Sequence, residues 1–328
     1  MQNRNPQVNK MNKDSLKIVF FGTPEFAVAS LKSILDDGWN VAAVVTAPDK
    51  PAGRGHKLLQ SDVKKFALER GLSVLQPVNL KDPDFIGSLR KIDADLFIVI
   101  AFRMLPEAVW SMPRLGCFNL HASLLPRYRG AAPINRAIMN GDPVTGVTTF
   151  FLKQEIDTGD IIDQRMIAIG ENDNAGLVHD RLMEIGADMT LQTVRDIADE
   201  TLSVTPQPDG EFIPAPKIFR ADCEIDWTKS AKEIHDHVRG LSPYPAARTT
   251  ITLSSGQDIE VKIFDTRLLP EKIGTEPGTV VIDGKRLIVA ASDRMLEIIS
   301  LQPSGKKPME ASAFLAGHIP VKCHKSVL

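Results

Sequence analysis

A doubly wound, mostly parallel α/β domain followed by a small antiparallel β-barrel is the fold class predicted by this 328-residue sequence. Three observations predict it. Short, almost wholly apolar β-type runs alternate with helical stretches over the first two-thirds of the chain, as in a parallel sheet covered on both faces. Four prolines then fall between Thr205 and Pro216, the mark of an extended linker. Beyond that break, β-rich runs recur at short intervals with Gly, Asp and Pro signals between them.

The elements follow in order. Residues 1–14 are polar, lack the apolar stretch of a signal peptide, and are expected to form a disordered extension. Leu16–Phe21 is a compact apolar strand. Gly22-Thr23-Pro24-Glu25 turns it into a helix over Glu25–Leu35, with Thr23 as cap and Pro24 in the first position. Asn40–Thr46, Leu72–Leu75 and Asp95–Ala101 read as further strands. Asp62–Arg70, Pro83–Arg90 and Ala132–Asn140 read as helices. The α/β domain is placed at 15–205, the linker at 206–222 and the barrel at 223–328. The last region opens with a helix over Thr228–Arg239. Five strands follow, at Arg248–Leu253, Ile259–Leu268, Gly278–Ile282, Arg286–Ala290 and Met295–Leu301. Their number fits a barrel of the oligonucleotide-binding type.

Composition excludes several classes. A net charge of −2 provides no molecule-wide basic field, and the chain from Pro206 onward balances 16 Lys+Arg against 16 Asp+Glu. Any nucleic-acid surface must therefore be a local patch. Cys117, Cys223 and Cys323 are odd in number and widely spaced, which fits a reducing cytoplasm better than a disulfide framework. No apolar run approaches the ~20 residues that span a bilayer. The first strand-to-helix turn lacks the GxGxxG of a dinucleotide site, and no GxxxxGK[ST] phosphate loop occurs.

The chemistry concentrates at Cys117–Gly130. Asn119 and His121, two residues apart on a strand, face the same way, so an amide donor and a titratable imidazole share one site. Asp157, in Asp157-Thr158-Gly159-Asp160, is a carboxylate able to orient His121 if the fold joins them. Such a trio fits transfer at a carbonyl carbon. A metal site built on His121, Cys117 and Asp157 lacks a further ligand at useful spacing, so no metal is expected. A Ser123–His121–Asp157 hydrolase lacks the GxSxG elbow, and Ser123 reads instead as a turn residue. In the loop after the strand, Arg129 offers a fork suited to carboxylate or phosphate. Asp49-Lys-Pro-Ala-Gly-Arg-Gly-His-Lys57 reads either as a solvated surface loop or as a flexible basic loop gripping a polyanion. Ala101–Pro106 is either core edge or pocket wall.

Several motifs together resemble the 10-formyltetrahydrofolate-dependent formyltransferases. They are Asn119-x-His121-x-Ser123-Leu-Leu-Pro126-x-x-Arg129-Gly130 with Asp157-Thr-Gly-Asp160, Phe21-Gly-Thr-Pro-Glu-Phe, Pro48-Asp-Lys-Pro-Ala-Gly-Arg-Gly, Gly130-Ala-Ala-Pro-Ile134 and Ile225-Asp-Trp. The resemblance implies formyl transfer from 10-formyltetrahydrofolate to the α-amine of methionyl initiator tRNA, in a Rossmann-like domain followed by an OB-like barrel. It implies Asn119, His121 and Asp157 as the catalytic trio. Asn119 would donate to the developing oxyanion, and His121 would either take the amine proton or stabilise the intermediate. Ser123, Leu124, Leu125 and Pro126 match the folate loop, and Phe102, Arg103, Met104 and Leu105 form a wall for the pterin. Arg54 matches the arginine that enters the tRNA acceptor stem, flanked by Lys50 and Lys57. Lys217, Arg220, Lys306 and Lys307 are the barrel's candidate tRNA contacts by charge and turn position.

Two departures stand out. His56 occupies a position where the family's loop often has lysine, and the wall reads Ala-Phe-Arg-Met-Leu-Pro where many members have a tyrosine and a glycine. A sugar-nucleotide formyltransferase sharing the trio is the nearest alternative, and a non-catalytic RNA-binding protein a more remote one. The enzyme is expected to be a cytoplasmic monomer with no membrane attachment.

Overall fold

The computed structural model describes residues 11–52, 57–208, 212–272 and 274–325. The chain forms two compact units. One comprises residues 1–129, 146–166 and 180–214, and the other residues 130–145, 167–179 and 215–328.

The first unit is built on a seven-stranded sheet. Its strands are β1 (Lys17–Gly22), β2 (Asn40–Val45), β5 (Val74–Leu75), β6 (Leu96–Ile100), β7 (Cys117–His121), β8 (Val144–Phe151) and β9 (Ile161–Ala168). A separate two-stranded hairpin pairs β3 (Lys50–Ala52) with β4 (Lys57–Leu59). The sheet order is β9-β8-β7-β6-β1-β2-β5. From β5 through β7 every pairing is parallel, and β7 pairs with β8 antiparallel. The order reverses between β1 and β6, so the carboxyl ends of these strands frame a crevice of the kind in which α/β proteins hold ligands. β7 ends there with His121. The strands are apolar because both faces are covered: Ile18, Val19, Phe20, Phe21 and Ile98 are inaccessible to solvent.

Local sequence explains most boundaries. The first helix runs Glu25–Asp36, but Pro24 is its N-cap residue and no side chain caps it. The cap expected at Thr23 is absent; its carbonyl instead accepts from Val63 N at 3.4 Å. Ser61 caps the helix Asp62–Glu69 through Lys64 N, and Asp82 caps Pro83–Ile92. The 24-residue helix Ala175–Ala198 was not among the sequence expectations, although Val178, Leu182, Met189 and Val194 give it a fully buried stripe. Met11–Asp14, part of the segment expected to be disordered, makes contacts: Met11 N donates to Ala198 O, and Lys13 pairs with Asp37 at 2.9 Å.

The second unit carries the barrel. Strands β10 (Ala247–Leu253), β11 (Asp258–Lys272), β12 (Val280–Asp283), β13 (Arg286–Ala290), β14 (Arg294–Pro303), β15 (Met309–Glu310) and β16 (Pro320–His324) are antiparallel, in the order β12-β13-β14-β11-β10-β16, with β15 on β14. The two strands beyond the five expected, β15 and β16, are short. β16 nearly closes the barrel, with Thr279 bridging Lys322 and Cys323 N donating to Gly278 O at 2.7 Å. Gly278 has φ +82, and a Cβ there would lie 2.3 Å from Cys323 O, so closure needs glycine. The helix Ala231–Leu241 plugs this core. Ser230 and Glu233 form its capping box, and Ile234, Val238 and Leu241 pack with Trp227, Ile251, Leu296 and Phe314.

Candidate active site

His121 is 6 % exposed at the end of β7, opposite Thr148 of β8. Its Nε2 lies 2.8 Å from the carbonyl oxygen of Tyr128. A carbonyl only accepts, so Nε2 carries a proton and Nδ1 is the open nitrogen of the neutral ring. Nδ1 faces Asp157 Oδ2 at 3.8 Å. That is ion-pairing distance for an imidazolium and too long for a direct hydrogen bond. The ring is therefore held by the Tyr128 carbonyl, with the Asp157 carboxylate facing its other nitrogen. Sequence reasoning had assigned the holding role to Asp157. Asn119 lies two residues back on the same face and is half-buried, in register with Val99 and Phe150. The trio is thus brought together at one strand end.

The loop after β7 is braced from within. Ser123 Oγ donates to Arg127 O at 2.7 Å, the turn role read from the sequence. Thr148 Oγ1 donates to Ser123 O at 2.6 Å and accepts from Leu125 N and from Gln164 Nε2, which also donates to Leu125 O. Leu125-Pro126 is cis, Tyr128 has φ +61, and the Tyr128 carbonyl faces His121. Ser123 and Leu125 are buried, whereas Leu124 and Pro126 are half-buried. The fork of Arg129, read as free for a carboxylate or phosphate, is instead occupied. Its Nε and Nη2 donate to Gln207 Oε1 at 3.2 and 2.5 Å, and it lies 5.4 Å from the Phe212 ring centroid.

The Asp157 turn is equally tight. Asp157 has φ +54, and a Cβ on Gly159 would sit 1.5 Å from Phe151 O. Gln207 Nε2 donates to both Asp157 O and Gly159 O at 2.8 Å. Thr148, the Tyr128 carbonyl and Gln207 were invisible to sequence reading. Gln207 lies in the stretch expected to form the linker.

The expected wall divides. Leu105 is 6 % exposed and belongs to the core, and Phe102 packs edge-on against Phe21 at 5.7 Å. Arg103 donates to the carbonyls of Pro77 and Val78, and Met104 is exposed. Arg103, Met104 and Leu105 join Val78, Trp110 and Gln154 around a cavity of about 1000 Å³; Asn119, His121 and Asp157 do not line it. Cys117, named in the metal reading, is buried, and burial pushes its thiol well up. Among the described residues no cluster of His, Cys, Asp or Glu forms a metal site.

For the basic loop, Arg54 lies outside the described residues, as does the side chain of Lys57. Lys50 is exposed. Its neighbour Asp49 is pinned by Lys64 at 2.6 Å and Gln76 at 2.8 Å, which fixes the base of the hairpin. On the barrel unit, Lys217, Lys306 and Lys307 are exposed. Arg220 pairs with Glu260 at 2.9 Å, and Arg248 shares that carboxylate. The Glu260 carbonyl holds Ser304 N at the head of the Lys306–Lys307 turn.

Two family models match the chain, formyl transferase over residues 16–194 and formyl transferase C-terminal domain over residues 217–319. The chain belongs to the formyl transferase family. It is 51% identical over 312 residues to the methionyl-tRNA formyltransferase of Bacteroides fragilis, covering 94% of this chain and 96% of that protein. Against the protein of the same name from Porphyromonas gingivalis it is 45% identical over 314 residues, covering 94% and 97%. Among solved structures, the sugar 3N-formyl transferase WlaRD, with dTDP and 5-N-formyl-THF, superposes with a TM-score of 0.64 at 22% identity, covering 89% of this chain and 99% of that one. HypX from Aquifex aeolicus in complex with tetrahydrofolic acid gives 0.62 at 16%, covering 91% and 46%. At these identities the two solved structures speak for the fold alone. Among the described residues no helix is long and apolar enough to cross a membrane.

Proposed function

We propose that this chain transfers the formyl group of 10-formyltetrahydrofolate to the α-amine of methionyl initiator tRNA. The observation that carries the reading is the orientation of His121: Nε2–H is committed to the Tyr128 carbonyl, and Nδ1 opens toward Asp157 beside Asn119. Near-50% identity to proteins named for this reaction supports the acceptor.

The amine nitrogen attacks the formyl carbon, and the carbonyl electron pair moves onto oxygen. Asn119 Nδ2 donates to that oxygen as its charge develops. His121 Nδ1 takes the proton leaving the amine, and the resulting imidazolium pairs with Asp157. The carbon–N10 bond then breaks, and His121 returns the proton to N10. The geometry favours the base role for His121, because its one fixed N–H is already spent on Tyr128.

In this reading the folate lies along Ser123–Pro126, meeting backbone, Leu124 and Pro126 more than the inward Ser123 and Leu125 side chains. The pterin lies near Phe102–Leu105. Lys50, Arg54 and Lys57 meet tRNA phosphates from the first unit, and Lys217, Arg220, Lys306 and Lys307 do so from the second. The enzyme works as a cytoplasmic monomer.

The test is formyl transfer to methionyl initiator tRNA run beside transfer to an amino-sugar nucleotide. Transfer to tRNA alone sustains the proposal. Transfer to the sugar alone keeps the trio and removes the acceptor assignment.

A further inference from the structure

We infer that Gln207 is a positioning residue for the catalytic pair, clamping the Asp157 turn to the segment that holds His121. The inference rests on the formyl-transfer reading above.

A glutamine amide has two N–H donors and an oxygen with two acceptor positions. All four are filled here. The nitrogen donates to Asp157 O and Gly159 O, and the oxygen accepts from Arg129 Nε and Nη2. The flipped amide would set oxygen against two carbonyls and NH₂ against a guanidinium, so the orientation is unambiguous. Both ends of this bridge lead to His121. Arg129 follows Tyr128, whose carbonyl binds Nε2, and Asp157 carries the carboxylate facing Nδ1. Gln207 thus ties the two groups that flank the imidazole on opposite nitrogens.

The approach of Gln207 is itself fixed. Two residues earlier, Thr205 exchanges both backbone hydrogen bonds with Ile161 at 2.8 Å, laying the chain beside the start of β9. The turn it grips has a positive φ at Asp157 and no room for a side chain at Gly159. Such a turn needs external bonds to stay in one arrangement. At 3.8 Å, the imidazole–carboxylate pairing has no direct hydrogen bond to set its own distance. The clamp supplies that constraint.

The experiment compares the full-length chain with Gln207→Met, which keeps length and loses all four bonds, and Gln207→Glu, which sets oxygen against both carbonyls. Steady-state formylation, melting temperature and amide hydrogen exchange over residues 155–160 are measured on each. The expected result is a kcat about 10- to 100-fold lower in Gln207→Met, the scale of a catalytic group misplaced by about 1 Å. Both KM values should stay within about threefold, and turn exchange should be faster. Gln207→Glu should fall at least as far. Adding Arg129→Met to Gln207→Met should cost little more, because Arg129 acts through the same amide. Wild-type turnover in Gln207→Met, or a loss confined to KM, overturns the inference. If the unaltered chain formylates neither acceptor, the parent reading fails; faster exchange in Gln207→Met then still sustains the clamp, and unchanged exchange overturns it.

Discussion

The strand end around His121 and the exposed lysines of the barrel unit contrast in how far their geometry is determined. Around His121 the buried imidazole and Thr148, the half-buried Gln207 and the exposed Gln164 are joined by hydrogen bonds that fix the arrangement, with Tyr128 O holding the ring. On the barrel, Lys217, Lys306 and Lys307 are exposed, and only Lys217, 5.7 Å from the Phe219 ring centroid, has a neighbouring group that biases its rotamer among the contacts described. A buried site therefore encodes distances, whereas an exposed one encodes charge and approximate place. Arg220 stands between the two, exposed yet drawn to Glu260.

The sharpest way to break the contrast is His121→Ala. Turnover should fall at least ~100-fold with the fold intact, on the usual scale for an acid–base group. Near-normal turnover would remove His121 from the chemistry and make its buried partners merely structural. Next comes Gly159→Ala, whose Cβ would lie 1.5 Å from Phe151 O. It should cost about 2 kcal/mol or more in a denaturant titration and disrupt the Asp157 turn. A wild-type melt would show that the turn has slack.

The exposed face should respond differently. Lys306→Ala with Lys307→Ala should raise the KM for tRNA several-fold, leave the folate KM alone, and flatten the salt dependence by about 1 per lysine. Arg54→Ala should likewise impair tRNA use far more than folate binding. Equal losses for both ligands would put these cations at the wrong site.

The smallest effect concerns Asp37, which is paired with Arg195 and Lys13. The Arg195 guanidinium is the main cause holding its carboxyl down to about 2, with Lys13 adding to it against the cost of burial. A depressed carboxyl stabilises the fold above its ordinary value near 3.8, and that contribution disappears as pH falls toward 2. Arg195 is 45% exposed, so solvent screening keeps the contribution under about 1 kcal/mol. Asp37→Asn should thus be slightly less stable at pH 7 and indistinguishable from the parent near pH 2. A difference that persists at pH 2 would point to packing instead.

The alternation of apolar strands and helices, and the placing of Asn119 and His121 on one strand face, were legible in the sequence. Each of these is a local property, set by residue period and turn chemistry within a few positions. It did not reveal the helix Ala175–Ala198, whose start at Ala175 has no acidic first turn to announce it. Nor did it reveal the strand β16 that closes the barrel. How His121 is held is a matter of tertiary folding. Its partner is a backbone carbonyl, which every residue possesses and no side chain advertises. Gln207 lies 50 residues from Asp157 and 78 from Arg129, in a stretch whose prolines speak only for extension. Contacts at such separations depend on which backbone atoms folding leaves facing one another, and residue identity alone does not record that.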